Sequence, residues 1–159
     1  MIFAVRRPSC PFCQLTAVQL SLLKTLFEKH HVRCYAVSHQ TEGINSFVER
    51  FWPFTDATGM PSLLIDERSV VFKALGGRVA PSEGGDDTAA AVARLRSVQP
   101  SYAMELEGEN TLLGGVVVVD PARGVIYAEL ENTVGALLAG EGEKLAQAVE
   151  RFYAGDASL

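Results

Sequence analysis

Ile2-Phe3-Ala4-Val5-Arg6-Arg7-Pro8-Ser9-Cys10-Pro11-Phe12-Cys13 is the stretch on which the fold turns. The apolar run from Ile2 to Val5 reads as a strand, and helical patterning starts near Pro11. A C-x-x-C pair at a strand-to-helix junction is an arrangement for redox chemistry. Proline suits the first helical position, where its missing N–H costs nothing. Cys10 is then the N-cap and Cys13 the third helical residue. A Cys10 thiolate there faces the unpaired N–H groups of Phe12 and Cys13 and the positive end of the helix dipole. Both lower its pKa below the free value of ~8.5, and the thiolate is the attacking species.

Working outward, residues 14–29 read as one helix with Leu15, Val18, Leu22 and Leu26 on its apolar face. Residues 32–37, which include Cys34, read as the next strand, so the start of the chain is a parallel βαβ unit. Residues 42–51 form a second helix, with Ile44, Phe47, Val48 and Phe51 on its apolar side and Trp52-Pro53 as its stop. Residues 62–65 are a third strand, and Asp66 after it is expected to cap a turn. Residues 70–75 form a short helix ended by Gly76-Gly77. An irregular loop follows at 76–87, then a helix over 88–98 with Asp87 or Thr88 as its cap. Residues 99–111 carry no clear signal. Residues 115–119, a turn at 120–124 and residues 125–130 read as a β-hairpin. A helix over 141–153 closes the chain, with Leu145, Val149 and Phe152 on one side. The expected fold is α/β, a central mixed sheet of about five strands flanked by helices, as one domain over 1–159.

Composition narrows the function. The 159 residues are 48% apolar, enough for a substantial core and too many for global disorder. The net charge of −5, from 14 basic and 19 acidic residues, argues against nucleic-acid binding. The apolar run at 112–119 contains Gly114 and Gly115 and stops at Asp120, so no membrane span is expected. No basic segment followed by a long apolar core marks a signal peptide. Three cysteines do not make a disulfide scaffold. The expected setting is reducing and cytoplasmic.

With these elements in order, the chain resembles the peroxiredoxin-like branch of the thioredoxin-fold superfamily, the group related to alkyl hydroperoxide reductase and thiol-specific antioxidant proteins. The resemblance rests on residues 5–13 with their arginines and C-x-x-C. It rests also on Pro61-Ser62-Leu63-Leu64-Ile65-Asp66 followed by Val71-Phe72-Lys73-Ala74-Leu75-Gly76, and on Gly114-Gly115-Val116-Val117-Val118-Val119 with Val125-Ile126-Tyr127. It implies a thioredoxin-like fold and cysteine-based antioxidant or thiol–disulfide chemistry on a peroxide or disulfide substrate. An external thiol reductant, such as thioredoxin or glutathione, would reset the pair, with no metal or organic cofactor. Ordinary peroxiredoxins carry proline and a threonine or serine seven and three residues before the peroxidatic cysteine. Phe3 and Arg7 stand there relative to Cys10.

Cys10 is the expected nucleophile and Cys13 the resolving thiol. The bland alternatives are an inert thiol pair or half a zinc site. Zinc wants four ligands, and the only further candidates nearby are Cys34, His30, His31 and His39. Cys34 itself reads as a small buried apolar residue within its strand. Arg6 and Arg7 point to opposite faces of a strand, so at most one approaches the sulfur. Arg7 is the expected partner, because Pro8 turns the chain there. The expected substrate-facing loops are Pro11-Phe12 and Gly114-Gly115, whose small size admits close backbone approach. Met60-Pro61 is the competing loop, by analogy with the cis-proline of thioredoxins. His30 and His31 are expected to end the first helix and His39 to be solvated. Phe47, Phe51, Trp52 and Phe54 read as core. A different class of reading also stands: a redox-sensing interaction protein whose Cys10–Cys13 disulfide alters partner binding without substrate turnover.

Overall fold

In the computed structural model, which describes residues 1–79, 88–104, 108, 112–131 and 141–155, strand β1 (Ile2–Val5) lies at the middle of a five-stranded sheet. The other strands are β2 (Tyr35–Ser38), β3 (Leu63–Ile65), β4 (Gly115–Asp120) and β5 (Gly124–Leu130), in the spatial order β3-β2-β1-β4-β5. The pairs β1–β2 and β2–β3 are parallel, while β1–β4 and β4–β5 are antiparallel. The helices are α1 (Pro11–Leu22), α2 (Lys24–Lys29), α3 (Ile44–Phe51), α4 (Val70–Ala74), α5 (Thr88–Val98) and α6 (Glu141–Tyr153). This is the expected mixed α/β sheet flanked by helices. No helix among the described residues is long and apolar enough to cross a membrane.

Alternation along β1 divides the core. Phe3 and Val5 join the large cluster that includes Ala36, Val116 and Val118, whereas Ala4 packs on the other face with Val37 and Phe72. Phe47, Phe51, Trp52 and Phe54 are buried in the large cluster, as expected of core aromatics. The Trp52 indole N–H donates to the Ser62 carbonyl and hydroxyl, each at 3.3 Å.

Helix α1 departs from the single apolar face read from its sequence. It packs against α3 and α5, and Pro11 through Ala17 are all buried. Leu22, placed on the expected face, is 79% exposed, and Leu20 is buried instead. The expected helix over 14–29 breaks at Leu23 into α1 and α2. The Ser21 hydroxyl donates to the Val18 carbonyl at 2.6 Å, a local competitor for the helical ladder.

Other boundaries shift for definite reasons. Strand β2 begins at Tyr35 rather than Val32, because pairing with β1 starts at Ile2 opposite Tyr35. Cys34 therefore precedes the strand. Helix α3 starts at Ile44, after Gly43 turns the chain with a left-handed φ of 73°. Asp66 does more than cap a turn: its carboxylate accepts the N–H groups of Val70 and Val71, both at 2.7 Å, at the start of α4. Of the expected irregular loop, residues 80–87 lie outside the described residues, as does the cap at Asp87.

Candidate active site

The turn from Arg7 to Cys10 links β1 to α1. The Cys10 N–H donates to the Arg7 carbonyl at 3.0 Å, with Pro8 and Ser9 between them. Proline at the second position of such a turn pre-sets its geometry. Cys10 then adopts extended dihedrals as the N-cap, and its carbonyl accepts the Gln14 N–H at 3.0 Å, the first bond of α1. Pro11 occupies the first helical position as expected.

This turn decides which arginine meets the sulfur. Arg6 Nη2 donates to Cys10 Sγ at 2.6 Å, and Arg6 has no exposed surface. The expectation of Arg7 is corrected: the turn starts at Arg7, uses its carbonyl, and folds Cys10 back over the residue before it. Gln40 fixes the backbone beneath, its side-chain N–H donating to the Arg6 carbonyl at 3.0 Å.

Arg6 Nε also lies 3.7 Å from Glu131 Oε2. The same carboxylate oxygen accepts the Gly114 N–H at 2.8 Å, and the Glu131 N–H donates to the Gly114 carbonyl at 3.1 Å. Glu131 was not singled out in the sequence. It was legible from the hairpin, because Gly115 pairs with Leu130 and the next residues in each direction are Gly114 and Glu131.

Cys10 and Cys13 are both free thiols and both buried, 2% and 4% exposed. The Cys10 thiol is lowered to about 5. The leading cause is a hydrogen bond from the Cys13 thiol; burial opposes, and the Arg6 charge and the N–H groups of Cys13 and Phe12 assist. Cys13 is pushed the other way, well above an ordinary thiol, because it donates to Cys10 and because it is buried. The helix tip is thus a secondary contributor. The Cys10 sulfur is held chiefly by Cys13 and Arg6, with the helix-tip N–H groups adding less. Burial works against the Arg6 cation, but Cys13, Cys10 and Glu131 hold its pKa above the usual arginine value.

The expected substrate-facing loops need correction. Pro11 and Phe12 are buried in the core, as the central position of α1 requires. Gly114 and Gly115 are buried too. A Cβ at Gly114 would collide with the Ala4 carbonyl, and one at Gly115 would lie 2.7 Å from the Glu129 carbonyl. These glycines let β4 approach its neighbours, and they touch the site through Glu131. Met60-Pro61 forms a bridge with Thr55 beside edge strand β3, and no peptide bond among the described residues is cis.

The remaining candidates are peripheral. Cys34 is buried, and burial pushes its thiol up to about 12. His39 is not simply solvated: its ring packs edge-on against Phe72 at 5.0 Å. His30 ends α2 and stacks on Tyr153 at 5.3 Å. Among the described residues, no group of three His, Cys, Asp or Glu side chains could hold a metal ion.

A parallel βαβ unit followed by an antiparallel hairpin, with a thiol pair on the first turn after the central strand, defines a thioredoxin-like fold. Sequence comparison refines this. The chain is 27% identical over 143 residues to Peroxiredoxin-like 2A of Xenopus tropicalis, covering 85% of this chain and 57% of that protein. It is 30% identical over 136 residues to Peroxiredoxin-like 2A of Homo sapiens, covering 85% of this chain and 56% of that one. These relatives support the peroxiredoxin-like branch of the thioredoxin-fold superfamily and suggest a redox-related role. The chain spans a little over half the length of both. No protein-family model matches it, and no solved structure does.

Proposed function

We propose that this chain is a thiol-dependent oxidoreductase in which Cys10 is the nucleophile and Cys13 the resolving thiol. The observation that carries this reading is the 2.6 Å contact from the buried Arg6 guanidinium to the Cys10 sulfur. Together with the Cys13 thiol, it favours a thiolate at neutral pH.

With a hydroperoxide, the Cys10 thiolate attacks one peroxide oxygen. The S–O bond forms, the O–O bond breaks, and the alkoxide or hydroxide leaves and takes a proton from water. Cys13 then attacks the sulfenic sulfur, giving up its proton as the sulfenic oxygen departs as water and the disulfide forms. Two equivalents of an external thiol, such as reduced thioredoxin or glutathione, return the pair to the dithiol and become oxidised themselves. With a disulfide substrate, Cys10 attacks one sulfur and the other leaves as a thiolate; Cys13 then attacks the Cys10 sulfur of the mixed disulfide, closing the Cys10–Cys13 bond and releasing the second substrate thiol. Arg6 Nη1 is buried without a hydrogen-bond partner among the described residues. That leaves a donor for negative charge developing on an oxygen beside Cys10.

The test couples hydrogen peroxide to oxidation of reduced thioredoxin, with insulin reduction as the separate assay of exchange. Turnover lost in Cys10→Ser supports the reading. Wild-type rates equal to those of Cys10→Ser in both assays overturn it.

The near-complete burial of Cys10 favours a second reading, a redox sensor. A thiol so enclosed suits a small oxidant better than a protein disulfide. Oxidation would withdraw the negative charge beside Arg6. Redox-dependent binding of a partner, without catalytic turnover, would favour this reading over the enzyme.

A further inference from the structure

A nucleophile that is 2% exposed must be reached somehow. A small cavity touches both neighbours of the thiol pair, Ser9 and Gln14, and is also lined by Gly43, Ser46, Arg50 and Tyr102. Its volume is about 30 Å³. That is room for a water-sized molecule and little more.

Tyr102 forms one wall and is itself 4% exposed. It lies four residues beyond the end of α5, outside any helix or strand. Its hydroxyl donates to Gln14 Oε1 at 2.7 Å. The Gln14 side-chain N–H donates in turn to the Pro8 carbonyl at 3.0 Å, in the turn that presents Cys10. The Tyr102 ring meets Phe51 edge-on at 6.2 Å and shares the buried cluster with Cys10 and Cys13. Tyr102 also feels the sulfur: burial first, then the Cys10 charge, pushes its phenol up to about 12. The Tyr102 side chain, latched by a single neutral hydrogen bond, thus walls the small cavity that flanks the thiol pair.

We propose that Tyr102 is a specificity-determining gate: latched on Gln14, it admits oxidants of hydrogen peroxide size to Cys10 and disfavours bulky hydroperoxides. The proposal rests on the reading of Cys10 as the nucleophile. It adds a substrate class, the small hydroperoxides, and names the residue that selects it.

The test compares Tyr102→Phe, which removes only the hydroxyl, and Tyr102→Ala with the wild type. The probes are hydrogen peroxide against cumene hydroperoxide, and iodoacetamide against a bulky maleimide, each read as a second-order rate at Cys10. The bulky-to-small rate ratio should rise about fivefold in Tyr102→Phe, the scale of one neutral hydrogen bond. It should rise more than tenfold in Tyr102→Ala, where the wall itself is gone. Equal acceleration of both probe sizes, or no change in the ratio, overturns the gate. If Tyr102→Ala does not fold, Tyr102→Phe decides alone. Alkylation needs no turnover, so a shifted ratio in a protein inert to peroxide upholds the gate while removing the peroxidase reading.

Discussion

Arg6 and Cys10 meet inside the protein, Nη2 to Sγ at 2.6 Å, four residues apart in sequence and joined by a turn rather than a helix. The contact places a permanent cation against a sulfur that is otherwise costly to ionise so far from water. Glu131 lies 3.7 Å from Nε of the same guanidinium, so the buried cation meets both a carboxylate and a thiol. The Arg6 charge is one of the supports of the Cys10 thiolate.

Replacing Arg6 should therefore act on both acidity and stability. Arg6→Lys keeps the charge but loses the forked geometry, and Arg6→Met loses both. A hydrogen bond to a charged group is worth about 1.5–3 kcal/mol, so Arg6→Met should raise the Cys10 pKa by about one to two units. It should also cost about 3–5 kcal/mol of stability, because the cation facing buried Glu131 is gone. Urea unfolding should recover part of that loss in the double variant Arg6→Met/Glu131→Gln.

Cys13 is the larger support of the Cys10 thiolate. Cys13→Ala should raise the Cys10 pKa, whereas Cys13→Ser, which keeps a donor, should hold it near the wild-type value. Alkylation rate against pH separates the two. Both variants should stall after one oxidation, leaving a sulfenic acid at Cys10 detectable by mass spectrometry.

Much of this was legible in the sequence, and the exceptions share a cause. The hairpin and the bounds of α5 and α6 depend on local patterning and turn residues, and these could be read directly. The start of β2 depends on where β1 begins, a long-range fact that puts Cys34 outside the strand. The choice of Arg6 over Arg7 depends on where the turn begins, which strand alternation does not encode. The glycines at 114 and 115 read as a substrate loop because glycine permits close approach, but the approaching groups are Ala4 and Glu129. Tyr102 lies in a stretch with no periodicity and no flanking motif, so only tertiary packing reveals it.

The thiolate should link redox state to stability and pH. Its folded pKa is depressed below the unfolded value of ~8.5, so its stabilisation is full above that pH and lost as pH falls through about 5. Cys13 shifts upward, so above ~8.5 it opposes stability as the unfolded chain ionises first. The disulfide form has no thiolate to stabilise. Between pH 5 and pH 8 the reduced form should thus gain on the oxidised form, by up to about 1.4 kcal/mol per pH unit. Melting temperatures of both forms across that range check the slope.

Gly114→Ala should be among the more damaging small substitutions. Its Cβ would collide with the Ala4 carbonyl at the centre of the sheet, and the same residue anchors Glu131. A loss of about 3 kcal/mol or more is expected in chemical unfolding. Gly142→Ala, in α6 with open space around its Cβ, should instead be neutral or stabilise by up to about 1 kcal/mol.

The most direct test is the ionisation of Cys10, followed by ultraviolet thiolate absorbance in the reduced protein and by the pH dependence of its alkylation. The expected result is a thiolate titrating at about 5, moving upward in Arg6→Met and in Cys13→Ala. Titration near the free-thiol value of ~8.5, unchanged by either substitution, would contradict the account.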